Sequence, residues 1–100
     1  MSQSLVVYGT YSMPKAADEE VVELCIEVRL DVQKITEKKY KLFTPVLYRE
    51  EDVDPGKNFL IKVHVGEKNY IHIKVNQDNG PNEVVNIEEN HTKEDPLNNF

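Results

Sequence analysis

The sequence predicts an α+β domain, one N-terminal helix packed across an antiparallel sheet of four to five strands, in the order β-α-β-β-β-β. Three observations carry that prediction. Two alternating apolar runs between residues 59 and 77 flank Gly66-Glu67-Lys68-Asn69. Ahead of them, apolar residues recur at three/four spacing from about 17 to 36. Turn chemistry at Asp54-Pro55-Gly56 and at Asp78-Asn79-Gly80-Pro81 then punctuates further strand-like runs.

Taken in order, Leu5-Val6-Val7-Tyr8 reads as a short first strand on a sheet edge or as a frayed terminus. The helix follows. Pro14 to Asp18 is a start signal, and Asp18, Glu19 and Glu20 suit the positive end of the helix dipole. Val21, Leu24, Cys25, Val28, Val32 and Ile35 form one apolar face, expected to lie on the sheet. Cys25 on that face reads as an inert small hydrophobe, with no charged activator beside it. Val22, Ile26 and Leu30 form a second stripe on the far side, either sheltered by a curled helix or a surface for a partner.

Tyr40 to Tyr48 reads as a strand with Tyr40, Leu42, Thr44, Val46 and Tyr48 on one face, and Phe43 and Leu47 on the other. The acidic stretch from Arg49 to Lys57 breaks the pattern. In the hairpin, Ile61, Val63 and Val65 share a face with Ile71, Ile73 and Val75, opposite Lys62, His64, Tyr70, His72, Lys74 and Asn76. A connection of four to five residues sets Val65 near Ile71, Val63 near Ile73 and His64 near His72. Val84, Val85 and Ile87 mark a last strand. The polar tail from Glu88 ends in Leu97 and Phe100, which suggests that it docks back on the sheet.

The chain has 100 residues, so residues 1–100 make a single domain with one core. Its net charge of −6 argues against nucleic acid and anionic membrane surfaces as partners. No apolar run reaches the roughly 18 to 20 residues that span a bilayer. The N-terminus lacks the features of a secretory signal, and the one cysteine has no internal partner; both favour a cytoplasmic location.

Nothing in the sequence resembles a catalytic set. Cys25 is expected inside a helix, away from the histidines, and the acids at 50–54 read as solvated charge. No cofactor is implied. His64 and His72 would make a two-ligand metal geometry, but Lys62 and Lys74 flank them and no third ligand is evident, so no metal site is assigned.

The hairpin LIKVHVGEKNYIHIKV resembles the FIKVHVG…Y(V/I)HL(R/K)V pattern of the stefins, the intracellular branch of the cystatin family of cysteine-protease inhibitors. The tail EDPLNNF is similar to the family's DELTYF, and the likeness spans nearly the whole chain. It implies a curved sheet and a reversible, non-covalent inhibitor that wedges an N-terminal trunk and two hairpin loops into the cleft of papain-like cysteine proteases. Carried onto this sequence, the trunk corresponds to Val7, Tyr8 and Gly9, the first loop to Asp52, Val53, Asp54, Pro55 and Gly56, and the second to Gly80 and Pro81. There are departures. The family's Gln-x-Val-x-Gly becomes Asp52-Val53-Asp54-Pro55-Gly56, with acids at the Gln and Val positions, and Asn76 replaces a Phe before the second loop. The alternatives are a stefin-fold binding or structural protein that has lost inhibition, or a metal-dependent or self-assembling one. The chain is expected to be a monomer, with a domain-swapped dimer through the Asp54-Pro55-Gly56 loop as the alternative.

Overall fold

The computed structural model describes residues 10–78 and 80–100. Strand β1 is Lys15–Ala16, helix α1 Glu19–Thr36, and β2 to β5 are Thr44–Asp52, Lys57–Gly66, Asn69–Gln77 and Glu83–His91. They form a five-stranded sheet in sequence order, with antiparallel neighbours throughout. The α+β reading holds, with corrections at the edges. The observed edge strand is Lys15–Ala16, in the stretch read as a helix start, while the proposed strand at Leu5–Tyr8 lies outside the described residues.

Asp18 starts the helix. Its Oδ1 accepts from the Val21 N–H at 3.0 Å, and its Oδ2 accepts from the Tyr48 hydroxyl at 3.0 Å, so one carboxylate caps the helix and ties it to β2. That double engagement, led by the backbone hydrogen bond, holds the Asp18 carboxyl below its usual range. The helix ends at Glu37, in the left-handed conformation, whose N–H donates to the Gln33 carbonyl. Val21, Leu24, Cys25, Val28 and Val32 are buried as expected. Ile35 is not: it is 59% exposed, and Tyr40 with Phe43 closes that end of the core instead. The Tyr40 hydroxyl donates to Thr36 Oγ1 at 3.1 Å, and its N–H donates to Gln33 Oε1 at 3.0 Å. Phe43 therefore packs on the helix side, not under the terminus.

The central hairpin pairs two residues away from the expected register. Gly66 faces Asn69 across a turn of only Glu67 and Lys68, and Val65 bulges out, so that Val63 meets Ile71, Ile61 meets Ile73 and Lys62 meets His72. Without that bulge a two-residue turn would set His64 against Ile71, polar against apolar; the extra residue restores the alternation. The turn needs positive φ at both Gly66 (137°) and Glu67 (46°).

The inner face is apolar in rows. Phe59 and Val75, Ile61 and Ile73, and Val63 and Ile71 are paired and almost fully buried against α1. Burying each such side chain contributes about 1.5–3 kcal/mol. The outer face is covered by the tail, as the sequence suggested. Lys62 Nζ donates to the Thr92, Lys93 and Asp95 carbonyls at 3.2, 2.6 and 2.5 Å, Arg49 donates to the Leu97 carbonyl at 2.7 Å, and Lys74 reaches Asn99 at 3.2 Å. Leu97 is 4% exposed.

Candidate functional site

The acidic stretch after Tyr48 does not break β2; the strand runs on to Asp52, which pairs with Lys57. The first loop is therefore only Val53 to Gly56, closed by the Val53 N–H donating to the Gly56 carbonyl at 3.0 Å. Gly56 has φ of +88°, and a Cβ there would lie 2.1 Å from the Gln77 carbonyl oxygen and 2.7 Å from the Asp78 Cα. Glycine is required twice over, by backbone conformation and by space. That close approach also joins the two loops, because Gln77 and Asp78 open the connection from β4 to β5.

The second loop is held by its own side chains. The Gly80 N–H donates to Asp78 Oδ1 at 2.8 Å, and Gln77 Nε2 donates to Asn82 Oδ1 at 3.2 Å. Asn82 also donates to Glu27 of the helix. Gly80 and Pro81 are exposed, as are Asp52, Asp54, Pro55 and Gly56; Val53 is half-buried.

Val7, Tyr8 and Gly9 lie outside the described residues. The chain that follows them is well placed. The Ser12 N–H donates to the Glu50 carbonyl at 2.7 Å, Ser12 Oγ accepts from the Glu50 N–H at 3.1 Å, and Arg49 Nε donates to the Ser12 carbonyl at 2.8 Å. Thr10, Tyr11 and Ser12 thus line a groove with Glu50, Glu51 and Asp52, at the end of β2 where the first loop begins.

This end of the sheet is acidic but unevenly paired. Glu50 bridges Lys15 at 2.8 Å and Lys57 at 2.7 Å, and those two ammonium groups hold its carboxyl below the usual range. Glu51, nearly buried, accepts from Asn58 Nδ2 at 3.0 Å, and Asn58 Oδ1 in turn accepts from Asn76 at 2.8 Å. Asn76, where the resemblance expected an aromatic residue, is thus part of a polar ladder across the outer face. Tyr11 sits against Glu51, and burial, then the adjacent carboxylate, pushes its phenol up.

The sequence pairing of His64 with His72 is not formed. His64 stacks on Tyr70 with ring centroids 4.6 Å apart, following the shifted register. His72 stacks instead on His91, at 3.6 Å and 10° between planes. Sequence reading missed His91 and Glu88 because it ended the last strand at Ile87. Cys25 is buried as expected, and burial pushes its thiol up to about 12.

One helix capped onto a five-stranded antiparallel sheet, with two loops meeting at one end, is a cystatin-like α+β fold. The chain is 33% identical over 104 residues to leukocyte cysteine proteinase inhibitor 1 of Sus scrofa, spanning all of both chains. Cystatin-A8 of Sus scrofa is equally similar, at 33% over 104 residues. Cystatin-B of Homo sapiens is 31% identical over 96 residues, covering 92% of this chain and 97% of that one. No family model matches the sequence. The chain belongs to the stefin family, and it is not an enzyme.

Proposed function

We propose that the protein is a reversible, non-covalent inhibitor of papain-like cysteine proteases, acting in the cytoplasm as a monomer. One observation supports this most directly: Gly56 lies against the Gln77 and Asp78 backbone, so both loops present as a single preformed edge. A rigid edge meets a cleft with little ordering cost on binding. The segment Thr10–Ser12 runs beside that edge, so a trunk containing Val7, Tyr8 and Gly9 would enter from the same end. The wedge then comprises the trunk, Asp52 to Gly56, and Gly80 with Pro81. Such a wedge excludes substrate without reacting.

The exposed carboxylates of Asp52 and Asp54 favour a second reading, a stefin scaffold that binds something other than a protease cleft. Burying a carboxylate without a partner costs several kcal/mol. Inhibition therefore calls for a protease whose cleft rim is basic, and association should then quicken as ionic strength falls.

Titrating active papain and a lysosomal cathepsin with the protein tests the reading. Stoichiometric or nanomolar loss of hydrolysis supports it; full activity at high micromolar concentration overturns it in favour of the second. The double substitution Asp52→Gln, Asp54→Val should tighten binding by more than about tenfold, equivalent to about 1.4 kcal/mol. Unchanged binding would mean that the first loop is no contact.

A further inference from the structure

One histidine on the outer face is buried with nothing to bond. His72 is fully buried, and neither Nδ1 nor Nε2 has a hydrogen-bond partner. A neutral imidazole carries one donor and one acceptor, and a fold that buries both unmade has left room in its chemistry for a ligand.

The neighbours of that ring are metal-ligating. A bulge in β5 brings them there. Tyr70 pairs with His91 and His72 with Glu88, so two steps along β4 match three along β5, and Asn90 takes up the extra residue with φ of 62°. In a regular strand Glu88 and His91 would point to opposite faces. Here both join His72, and nitrogen or carboxylate oxygen atoms of the three lie within 4.8 Å of one another.

His91 shows the same need for a cation. Its Nε2 lies 3.0 Å from Glu88 Oε1 and its Nδ1 lies 2.8 Å from Asp95 Oδ2. A neutral ring donates to one carboxylate only, which leaves the other facing a lone pair. A cation between them, a proton or a metal, resolves that conflict.

We propose that His72, His91 and Glu88 form a binding site for a divalent transition metal of the zinc class. Two imidazole nitrogens and one carboxylate are a ligand set suited to zinc, with the fourth position left to solvent beside the exposed Glu88. His91 Nε2 and Glu88 Oε1 already lie 3.0 Å apart, close to the about 3.3 Å between ligands in a tetrahedral zinc site. Asp95 is the supporting carboxylate. It holds His91 Nδ1, and is itself fixed by the Thr92 N–H at 3.0 Å and the Thr92 hydroxyl at 2.8 Å. The two rings are stacked in parallel, so both nitrogens face one ion only once His91 turns off the stack; His72 is fully buried on an inner strand, whereas His91 is carried by β5 at the sheet edge. Lys62, the neighbouring cation, directs its charge into three tail carbonyls.

Calorimetric titration of the chelator-stripped full chain with zinc chloride tests the site, with circular dichroism checking that each variant folds. One zinc per chain is expected, with affinity falling at least about tenfold in His91→Gln and in Glu88→Gln, and unchanged in His64→Gln. Because His72→Gln can unfold the protein, the His72 contribution is read in the wild type, where its ring NMR resonances should shift as zinc is added. No binding at ~1 mM zinc, equal affinity in His91→Gln, or a His72 ring that does not respond would each overturn the proposal. The paired loops lie at the opposite end of the β3–β4 hairpin from the turn near His91, so papain titration reports on them independently.

Discussion

The two faces of the sheet solve burial in opposite ways. On the inner face, Phe59, Ile61, Val63, Ile71, Ile73 and Val75 meet an apolar helix stripe, and no polar partner is needed. On the outer face, in the same strands, Lys62 and His72 are just as thoroughly buried, Lys62 beneath a polar tail and His72 beneath the His91 ring. The Lys62 ammonium is completed by backbone carbonyls, at the cost of a lowered pKa that burial imposes first. One face is held by area removed from water, the other by charge-assisted hydrogen bonds to a segment far along the chain. The inner face should therefore carry global stability, and the outer face the docking of the tail.

Truncating the inner face should break the fold most. Phe59→Ala, at a fully buried position, is expected to cost about 3–5 kcal/mol in urea unfolding. Lys62→Ala should cost less, about 2 kcal/mol, because water can satisfy the released carbonyls once the tail lifts. Its signature is local: exchange of the hydrogen-bonded Thr92 and Asp95 amides should accelerate while the helix amides keep their protection relative to global unfolding. If Lys62→Ala instead lowers protection uniformly, the outer face belongs to the same cooperative unit as the core.

Alkaline pH sharpens the contrast from the inner side. Cys25 is pushed from an ordinary 9.0 up to about 12 by burial, so between those values the folded chain holds a proton that the unfolded chain has lost. Stability from the neutral thiol is thus fully present below pH 9 and is lost as pH rises toward 12. Tyr48, also raised by burial and then by its bond to Asp18, acts in the same direction. Cys25→Ala should flatten part of the decline above pH 9 in unfolding midpoints. An unchanged slope would mean that the thiol ionises without opening the core.

The difference between the faces also explains what could be read in advance. Period-two and three/four spacing identify residues whose burial depends on their own side chains, and Val21 to Val32, Ile61, Val63, Ile71, Ile73 and Val75 fell where the pattern put them, Val65 excepted. Patterning is silent where burial depends on a distant partner. Alternation put Lys62 and His72 on the outer face without showing how deeply they are buried there, and Glu88 and His91 looked like tail because their strand has no apolar alternation. Bulges defeated register in the same way: nothing local marks Val65 or Asn90 as the extra residue. At the loop end, Gly56 and the turn residues were legible from backbone chemistry. The Glu51–Asn58–Asn76 ladder was not, since it needs three strands in register.

The smallest effect on stability is expected on the helix's remaining surface, and it tests whether exposure there has a purpose. Ile26 and Leu30 are 69% and 66% exposed, with Val22 beside them at 40%, so the sheltered alternative for this stripe does not hold. Removing apolar side chains already in water takes little from the folded state. Ile26→Gln with Leu30→Gln should therefore change the unfolding free energy by no more than about 0.5 kcal/mol. Sedimentation of the two proteins at matched concentrations then separates the alternatives. A wild type that sediments as a monomer, unchanged by substitution, leaves the stripe as ordinary exposed surface. A wild type heavier than a monomer, reduced by the double substitution, makes it a self-association face, in which apolar area left uncovered by the sheet is buried against a second copy.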